Sequence, residues 1–248
     1  MVKDLAAVAG RDNTVVQRYV ANPYLANGRK GHLRIYALIT SSAPLRAYIY
    51  NEGIVRFAPE PYDPRPERLS DLAMHITNTA LHLKHPDLKI DQDPRREDQG
   101  VIWSVSALLK HMSAHGLDGG RVFDEIADLA AWFLRGLARE GLFARQAASG
   151  PPRAFGPKLL GFDILVDDQG HPWLIEIQSS PAASGAPLVN RINGELFANM
   201  MRMSVGVLTS DSQSAEALQA LRTDPKAIAR AELAIEHRLM GRFRPLAV

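Results

Sequence analysis

The sequence predicts an α+β fold in which an antiparallel sheet is flanked by helices. Three observations predict it. Two apolar runs flank a polar, glycine-containing turn between Leu160 and Pro181, as in a β-hairpin. Alternating and β-branched segments before Ala58 predict further antiparallel strands. Apolar residues between positions 102 and 137 recur at i, i+3 and i+4, which predicts helices that cover the sheet.

Composition limits the class of protein. The chain has 248 residues, of which 46% are hydrophobic and 23% charged, as in an ordinary globular protein. A net charge of +2 argues against general nucleic-acid binding, and the absence of cysteine excludes disulfides and thiolate metal sites. The N-terminal apolar stretch is too short for a signal peptide, and no run approaches the ~20 apolar residues of a membrane span. We expect a cytoplasmic protein with neither nucleic-acid nor membrane partners.

The first predicted strands form an antiparallel meander from Thr14 to Ala58. Thr14–Val20 is rich in β-branched residues, and a turn-rich connection, residues 21–28, leads to a strand from Arg29 to Thr40. That strand places Lys30, His32 and Arg34 on one face, where like charges repel one another. An anion across the face would relieve the repulsion; the alternative is a solvated edge strand with a protective basic face.

The middle of the chain continues the meander and then changes to helices. Leu45–Tyr50 and Ile54–Ala58 are predicted strands, with Asn51–Gly53 as the hairpin turn between them. Ser70 is the predicted cap of a short helix that begins near Asp71. Taken alone, Asn78 is better explained as a turn or cap residue than as a ligand-binding one. The charged segment 86–100 has no periodicity and is a predicted loop.

Four helices are predicted after residue 100. The first two carry apolar periodicity over residues 102–112 and 122–137, and Asp118-Gly119-Gly120 precedes the second. Leu188–Val207 forms the third. Asp224-Pro225 resembles an N-cap followed by proline at the first helical position, and an apolar stripe follows at Ile228, Ala231, Ile235 and Leu239. We predict a catalytic portion over residues 14–207 and a C-terminal helical tail over residues 208–248.

The hairpin from Leu160 to Pro181 carries the strongest chemical signal. If Val166 pairs with His171, Asp163 lies opposite Leu174, and one sheet face carries Asp163, Glu176 and Gln178. Two carboxylates and an amide oxygen are hard ligands of the kind that Mg²⁺ binds. The alternative is a pair of solvated carboxylates on the wet face of a hairpin, which is common.

Five segments together resemble the tubulin–tyrosine ligase family of the ATP-grasp superfamily. They occur in the family's order between about residues 14 and 205, and they are Val15–Val20, Asn27–Arg34, Tyr50–Tyr62, His75–Thr79 and Gly161–Pro181. The resemblance implies an ATP-grasp-like sheet and an ATP-dependent carboxylate–amine ligase that works through an acyl phosphate. It further implies a free amino acid as one substrate and a protein or peptide acceptor, such as a tubulin tail.

The resemblance also implies roles for individual residues. Arg34 and Arg56 would bind the transferring phosphoryl group and the acyl phosphate, and Asn78 would help to hold phosphate or metal. Mg²⁺ bridging the phosphates would be bound by Asp163, Glu176 and Gln178. The remaining predicted contacts are with ATP: an adenine hinge at Gln17, Arg18, Tyr19 and Val20, and nucleotide contacts at Lys30 and His32.

The sequence departs from the family pattern in three places. His32 stands where an acidic residue is usual, and Gln178 stands where asparagine is usual. The family's upstream segment with a glycine-rich loop over the phosphates has no counterpart, so we expect a domain that is incomplete at its N-terminus. A second chain could supply the missing part, or the natural start could lie upstream. The alternative function is a non-catalytic or split ATP-grasp remnant that binds a nucleotide or a partner, and a small-molecule ATP-grasp ligase also stays open.

Overall fold

The computed structural model describes Gly10, Asp12 and residues 15–143, 157–181, 185–209 and 225–248. The fold is α+β, as predicted. Its strands are β1 (Leu25–Ala26), β2 (Arg29–Ser42), β3 (Leu45–Phe57), β4 (Ile102–Ser104), β5 (Lys158–Val166), β6 (Pro172–Gln178) and β7 (Phe243–Pro245). Its α-helices are α1 (Leu72–His75), α2 (Val105–Ala114), α3 (Gly119–Arg139), α4 (Pro187–Thr209) and α5 (Pro225–Leu239). Two 3₁₀ helices, Pro66–Arg68 and Thr79–His82, flank α1.

The strands of the described residues form one antiparallel sheet. Its main order is β4-β3-β2-β5-β6, with β1 paired to β2 and β7 paired to β3. Helices cover both faces. On one face Phe162 meets Phe133 of α3 edge-on, with ring centroids 5.9 Å apart. On the other face the Tyr36 hydroxyl donates to Asn193 of α4 at 2.9 Å. The central strand β2 therefore lies between two layers and between two long neighbours.

The predicted hairpin turn at Asn51–Gly53 is wrong. Leu45–Phe57 is one strand, and its register against β2 shifts between the pairs Ile35–Gly53 and Ala37–Ile49, so that residues 50–52 form a bulge opposite Tyr36 and Gly53 is paired again. Glu52 in this bulge is buried, and it accepts hydrogen bonds from Gly53 N and Ser106 N, both at 3.0 Å. The polar triplet continues the strand because α2 satisfies its carboxylate.

The β5–β6 hairpin exists, but its predicted register is wrong. Val166 pairs with Pro172, and Asp163 pairs with Glu176 instead of Leu174. The loop is five residues long, because the Asp167 carboxylate closes it by accepting from the backbone N–H groups of residues 169 and 171. The register shifts by one more residue next to Asp163, and this second shift returns Glu176 to the sheet face that carries Asp163. The two irregularities together keep Asp163 and Glu176 on the same face.

Three smaller local predictions are wrong. Val15–Val20 is extended but belongs to no strand, so the meander begins later than predicted, and Thr14 lies outside the described residues. The cap of α1 is Asp71, whose side chain accepts from Ala73 N at 3.1 Å, and not Ser70. Residues 102–104 form β4, and α2 begins only at Val105 because the Ser104 side chain caps it.

The C-terminal segment packs against the sheet. Helix α5 begins at Pro225 as predicted, whereas Asp224 and the side chain of Ile228 lie outside the described part of the chain. Glu236 is buried and accepts from the Tyr48 hydroxyl at 2.7 Å and from Arg46 at 3.1 Å. Strand β7 was not predicted, since three residues carry too little periodicity. The division of the chain at residue 208 stays a prediction.

The bulge in β3 generates a stability prediction. A Cβ at Gly53 would lie 2.3 Å from the Arg34 carbonyl oxygen, which is backbone and cannot move without disturbing the sheet. We expect Gly53→Ala to lower the free energy of unfolding by about 2–3 kcal/mol in urea titrations. Gly136→Ala is the matched control: the site is exposed on α3 with nothing near its Cβ, so alanine should be neutral or stabilise by up to about 1 kcal/mol. Equal stability of both variants would contradict the close approach.

Candidate functional site

One cavity of about 980 Å³ collects every residue that the sequence predicted for the site. One face of the sheet bounds it, formed by β2, β5 and β6. The segment Val15–Val20 and residues between 75 and 83 bound the other sides. The predicted residues in its lining are Gln17, Arg18, Tyr19, Val20, Lys30, His32, Arg34, Arg56, Asn78, Asp163, Glu176 and Gln178. Their chemical roles stay predictions, but residues from five separate segments meet here.

A buried ion pair lies in the wall of the cavity. Arg34 and Asp163 are direct cross-strand partners, and both side chains are about nine-tenths buried. The Arg34 Nε donates to Oδ1 of Asp163, and Nη2 donates to Oδ2 at 2.8 Å. Burial alone would raise the pKa of the Asp163 carboxyl, but the hydrogen bonds from Arg34 and the neighbouring positive charge hold it below its usual range. Asp163 is therefore ionised at neutral pH.

Basic side chains outnumber carboxylates around this pair. Lys30, His32 and Arg34 alternate along one face of β2, and Arg56 of β3 is the cross-strand partner of His32. Because β2 is central and Lys30 and Arg34 are buried, the alternative of a solvated edge strand is wrong. Among the described residues no carboxylate forms an ion pair with Arg56. The face suits an anion with several oxygens.

Burial and mutual repulsion shift the proton affinities of these bases. Burial lowers the pKa of Lys30 to about 8. Burial also lowers the pKa of His32 to about 4, with the charges of Arg56 and Arg34 acting in the same direction. Burial and the charge of Arg34 lower the pKa of Arg56. At neutral pH His32 is therefore a neutral hydrogen-bonding group, and its Nδ1 lies 2.5 Å from the Thr77 hydroxyl oxygen.

The extended segment Val15–Val20 is attached to the cavity by side chains. Gln17 Nε2 donates to the Ile175 carbonyl at 3.2 Å. The Tyr19 hydroxyl accepts from Lys30 Nζ at 3.2 Å, and the same ammonium lies 4.4 Å from the centre of the Tyr19 ring. Burial raises the pKa of the Tyr19 phenol. The segment therefore closes one side of the cavity next to the basic strand.

The oxygen donors predicted to bind a metal lie next to one another on β5 and β6. Asp163 faces Glu176 across the strand pair, and Gln178 Nε2 donates to Glu176 Oε1 at 2.6 Å. Two carboxylates and an amide oxygen fit Mg²⁺, and the Asp163 oxygens keep lone pairs besides those that Arg34 uses. No cluster of three His, Cys, Asp or Glu side chains able to hold a metal occurs among the described residues. An ion here would need Gln178 and oxygens from water or phosphate.

The structure adds cavity residues that no role had been predicted for. His75 is 2% exposed, and His75 and Thr77 both line the cavity. Both belong to the segment His75–Thr79, whose only predicted role was that of Asn78. The Asn78 Oδ1 accepts from Ala80 N at 3.1 Å and so caps a 3₁₀ helix, while the residue also lines the cavity. The motif itself was the available signal for His75 and Thr77.

Comparison with known proteins gives a consistent match. The family model described as "Tubulin-tyrosine ligase family" matches residues 1–215. A mouse tubulin polyglutamylase, TTLL5, is 33% identical over 207 residues, which are 81% of this chain and 15% of that protein. Mouse tubulin monoglutamylase TTLL4 is 32% identical over 78% of this chain and 16% of its own length. The Caenorhabditis elegans tubulin polyglutamylase ttll-5 is 32% identical over 81% of this chain and 28% of its own length.

The chain thus spans between about a seventh and just over a quarter of the length of these relatives. None of the helices in the described ranges is both long enough and apolar enough to cross a membrane.

The buried ion pair generates a prediction about Asp163→Asn. The substitution leaves the Arg34 guanidinium buried without its counter-ion, which typically costs about 3–5 kcal/mol. Urea unfolding at pH 7 should show that loss. Asp168→Asn, the same change on the exposed hairpin loop, should stay within about 0.5 kcal/mol of wild type. If both variants unfold alike, the pair does not support the sheet.

His32 generates a prediction about pH. Because its folded pKa is about 4 and the ordinary value is about 6.5, the unfolded chain binds a proton between these values that the folded protein does not. The free energy of unfolding should therefore fall by about 2–3 kcal/mol from this residue as pH drops from 6.5 to 4. His32→Gln should flatten that part of the profile. His171→Gln, at a side chain that is 61% exposed, should leave it unchanged. Parallel profiles for wild type and His32→Gln would contradict a buried neutral imidazole.

Proposed function

The chain belongs to the tubulin-tyrosine ligase family, and we propose that it is an ATP-dependent carboxylate–amine ligase. The observation that carries the proposal is the meeting of basic side chains and oxygen donors around one cavity, next to the segment Val15–Val20, which is unpaired among the described residues. The printed names of the relatives are those of tubulin polyglutamylases and monoglutamylases. We accordingly propose a free amino acid as the amine and a carboxylate of a protein or peptide, such as a tubulin tail, as the acceptor.

The reaction has two steps. An oxygen of the acceptor carboxylate attacks the γ-phosphorus of ATP, the bond to the β–γ bridging oxygen breaks, and ADP leaves. The amino group of the amino acid then attacks the acyl phosphate carbon, phosphate leaves, and the amine loses a proton as the amide forms. Negative charge accumulates on phosphoryl oxygens in both steps, so catalysis requires cations in fixed positions.

The cavity supplies those cations in fixed positions. Arg34 is held by two hydrogen bonds to Asp163, so its orientation is set before any substrate binds. Arg56 has no carboxylate counter-ion among the described residues and so keeps its donors for a phosphoryl group. Lys30, on the same strand face as Arg34, would contact the phosphates of the nucleotide.

Strands β5 and β6 would bind the metal next to these cations, and the Val15–Val20 segment would bind the adenine base. Mg²⁺, when bound by Asp163, Glu176 and Gln178, would neutralise phosphate charge. Among the described residues no strand pairs with Val15–Val20, so its backbone donors and acceptors can bind an adenine edge. Neutral His32 adds a hydrogen bond without adding charge, which suits its position between cationic neighbours.

Glu176 generates the test of this proposal. Glu176→Gln keeps the shape and one oxygen but removes a negative charge from the donor set, so we expect at least about a 100-fold loss of turnover with the fold retained. The assay measures ADP released with Mg-ATP, an amino acid and a carboxylate-rich peptide, and circular dichroism checks the fold. Glu140→Gln is the matched control, because Glu140 is exposed at the end of α3 and outside the cavity.

The outcomes separate the candidate functions. Wild-type turnover by Glu176→Gln would contradict the role of the donor set. Tight binding of ATP by the wild-type chain without turnover would favour the alternative of a non-catalytic nucleotide-binding module. Turnover only after addition of a second polypeptide would favour a split ligase.

A further inference from the structure

His75 makes two hydrogen bonds, and the donor and acceptor of each can be assigned from the chemistry of its partners. Its Nε2 lies 3.0 Å from the Arg68 carbonyl oxygen, which can only accept, so Nε2 carries the hydrogen. In the neutral ring Nδ1 is then an acceptor, and it lies 3.0 Å from the Tyr19 hydroxyl oxygen. Tyr19 therefore donates to His75. The Tyr62 hydroxyl donates to the Ala21 carbonyl at 2.7 Å, and its oxygen lies within hydrogen-bonding reach of Tyr19 as a second acceptor.

Lys30 extends this chain of hydrogen bonds. Its ammonium can only donate, and it does so to the Tyr19 hydroxyl oxygen at 3.2 Å. The directions run from Lys30 through Tyr19 and His75 to the Arg68 carbonyl. A hydroxyl that donates its own hydrogen is a better acceptor, and its lone pairs are directed by that bond. Lys30 is 8% exposed, so this acceptor replaces one of the hydrogen bonds to water that the ammonium lost on folding.

The hydrogen bond between Tyr19 and His75 also holds the Val15–Val20 segment in place. No strand pairs with it among the described residues, and its described side-chain hydrogen bonds come from Gln17 and Tyr19. The rings of Tyr19 and His75 pack edge-on, with centroids 6.0 Å apart. A shift of His75 would therefore move both the segment and the partner of Lys30.

We propose that His75 is a positioning residue of the cavity, which acts through Tyr19 to fix the Val15–Val20 segment and the Lys30 ammonium. The consequence for nucleotide binding rests on the proposed function; the orientation of Lys30 does not. In this role His75 itself contacts no substrate. By accepting the hydrogen of the Tyr19 hydroxyl, it orients the lone pairs of that oxygen toward the Lys30 ammonium.

Two substitutions test the two ring nitrogens of His75 separately. His75→Asn places an amide oxygen near the position of Nδ1 and so keeps an acceptor for Tyr19, but it loses the bond to Arg68. His75→Gln places an amide nitrogen near the position of Nε2 and so keeps the bond to Arg68, but it removes the Nδ1 acceptor and leaves the Tyr19 hydroxyl to turn toward Tyr62. Tyr19→Phe removes the hydroxyl while keeping the ring.

The first measurement is the affinity for ADP by titration calorimetry. A net hydrogen bond of about 0.5–1.5 kcal/mol corresponds to roughly a 2- to 12-fold change, so we expect His75→Gln and Tyr19→Phe to weaken binding by about that factor. His75→Asn should bind within about twofold of wild type. The double variant Tyr19→Phe with His75→Gln should bind no more weakly than Tyr19→Phe alone, because both act through one chain of bonds.

The second measurement needs no nucleotide. Lys30 is acetylated with limiting isotope-labelled acetic anhydride, and its rate is compared with that of the other lysines by mass spectrometry. Weakening the acceptor destabilises the ammonium, so Tyr19→Phe and His75→Gln should increase the reactivity of Lys30 about two- to fivefold. His75→Asn should leave it close to wild type.

A purely structural role gives the opposite pattern. His75→Asn, without the Arg68 anchor, would then be the variant with the larger loss of thermal stability, and affinity and Lys30 reactivity would follow stability. That pattern overturns the proposal. If no protein binds ADP but the Lys30 reactivities follow the expected order, the proposed function fails while the positioning role stands.

Discussion

Two hydrogen bonds between Arg34 and Asp163 join the central strands β2 and β5 in the wall of the cavity. Two glycines lie in close contact with Arg34. A Cβ at Gly161 would lie 2.9 Å from the Arg34 Cδ, and a Cβ at Gly53 would lie 2.3 Å from the Arg34 carbonyl oxygen. Glycine at position 161 therefore leaves room for the Arg34 side chain, and glycine at position 53 leaves room for the Arg34 backbone. The bulge in β3 ends at Gly53, and the register shift of the β5–β6 hairpin lies next to Asp163, so both irregularities are close to this pair.

The parts of the fold that depend on local periodicity were predictable. Alternation along β2 placed Lys30, His32 and Arg34 on one face, and the structure shows that face lining the cavity. Contacts between distant residues were not predictable in this way. The turn predicted at residues 51–53 became a bulge because Ser106 and Arg242, far along the chain, satisfy Glu52. A sequence pattern does not contain that information.

The candidate site divides in the same manner. The grouping of Asp163, Glu176 and Gln178 on one face followed from alternation, although the register behind it was wrong, because two irregularities offset each other. The resemblance to the tubulin-tyrosine ligase family brought in the hinge segment, which composition alone would have made a strand. His75 was missed because its importance lies in hydrogen bonds to residues 7 and 56 positions away.

We propose above all that the basic face of β2 and the carboxylates of β5 and β6 bind the phosphates of one nucleotide with its metal ion. The most direct test is a crystal structure with Mn²⁺ and a non-hydrolysable ATP analogue, in which anomalous scattering locates the metal. We expect Mn²⁺ between Asp163, Glu176 and Gln178, with the γ-phosphate facing Arg34 and Arg56 and the adenine beside residues 17–20. A nucleotide whose phosphates lie outside this cavity, or Mn²⁺ bound without any of these oxygens, would contradict it.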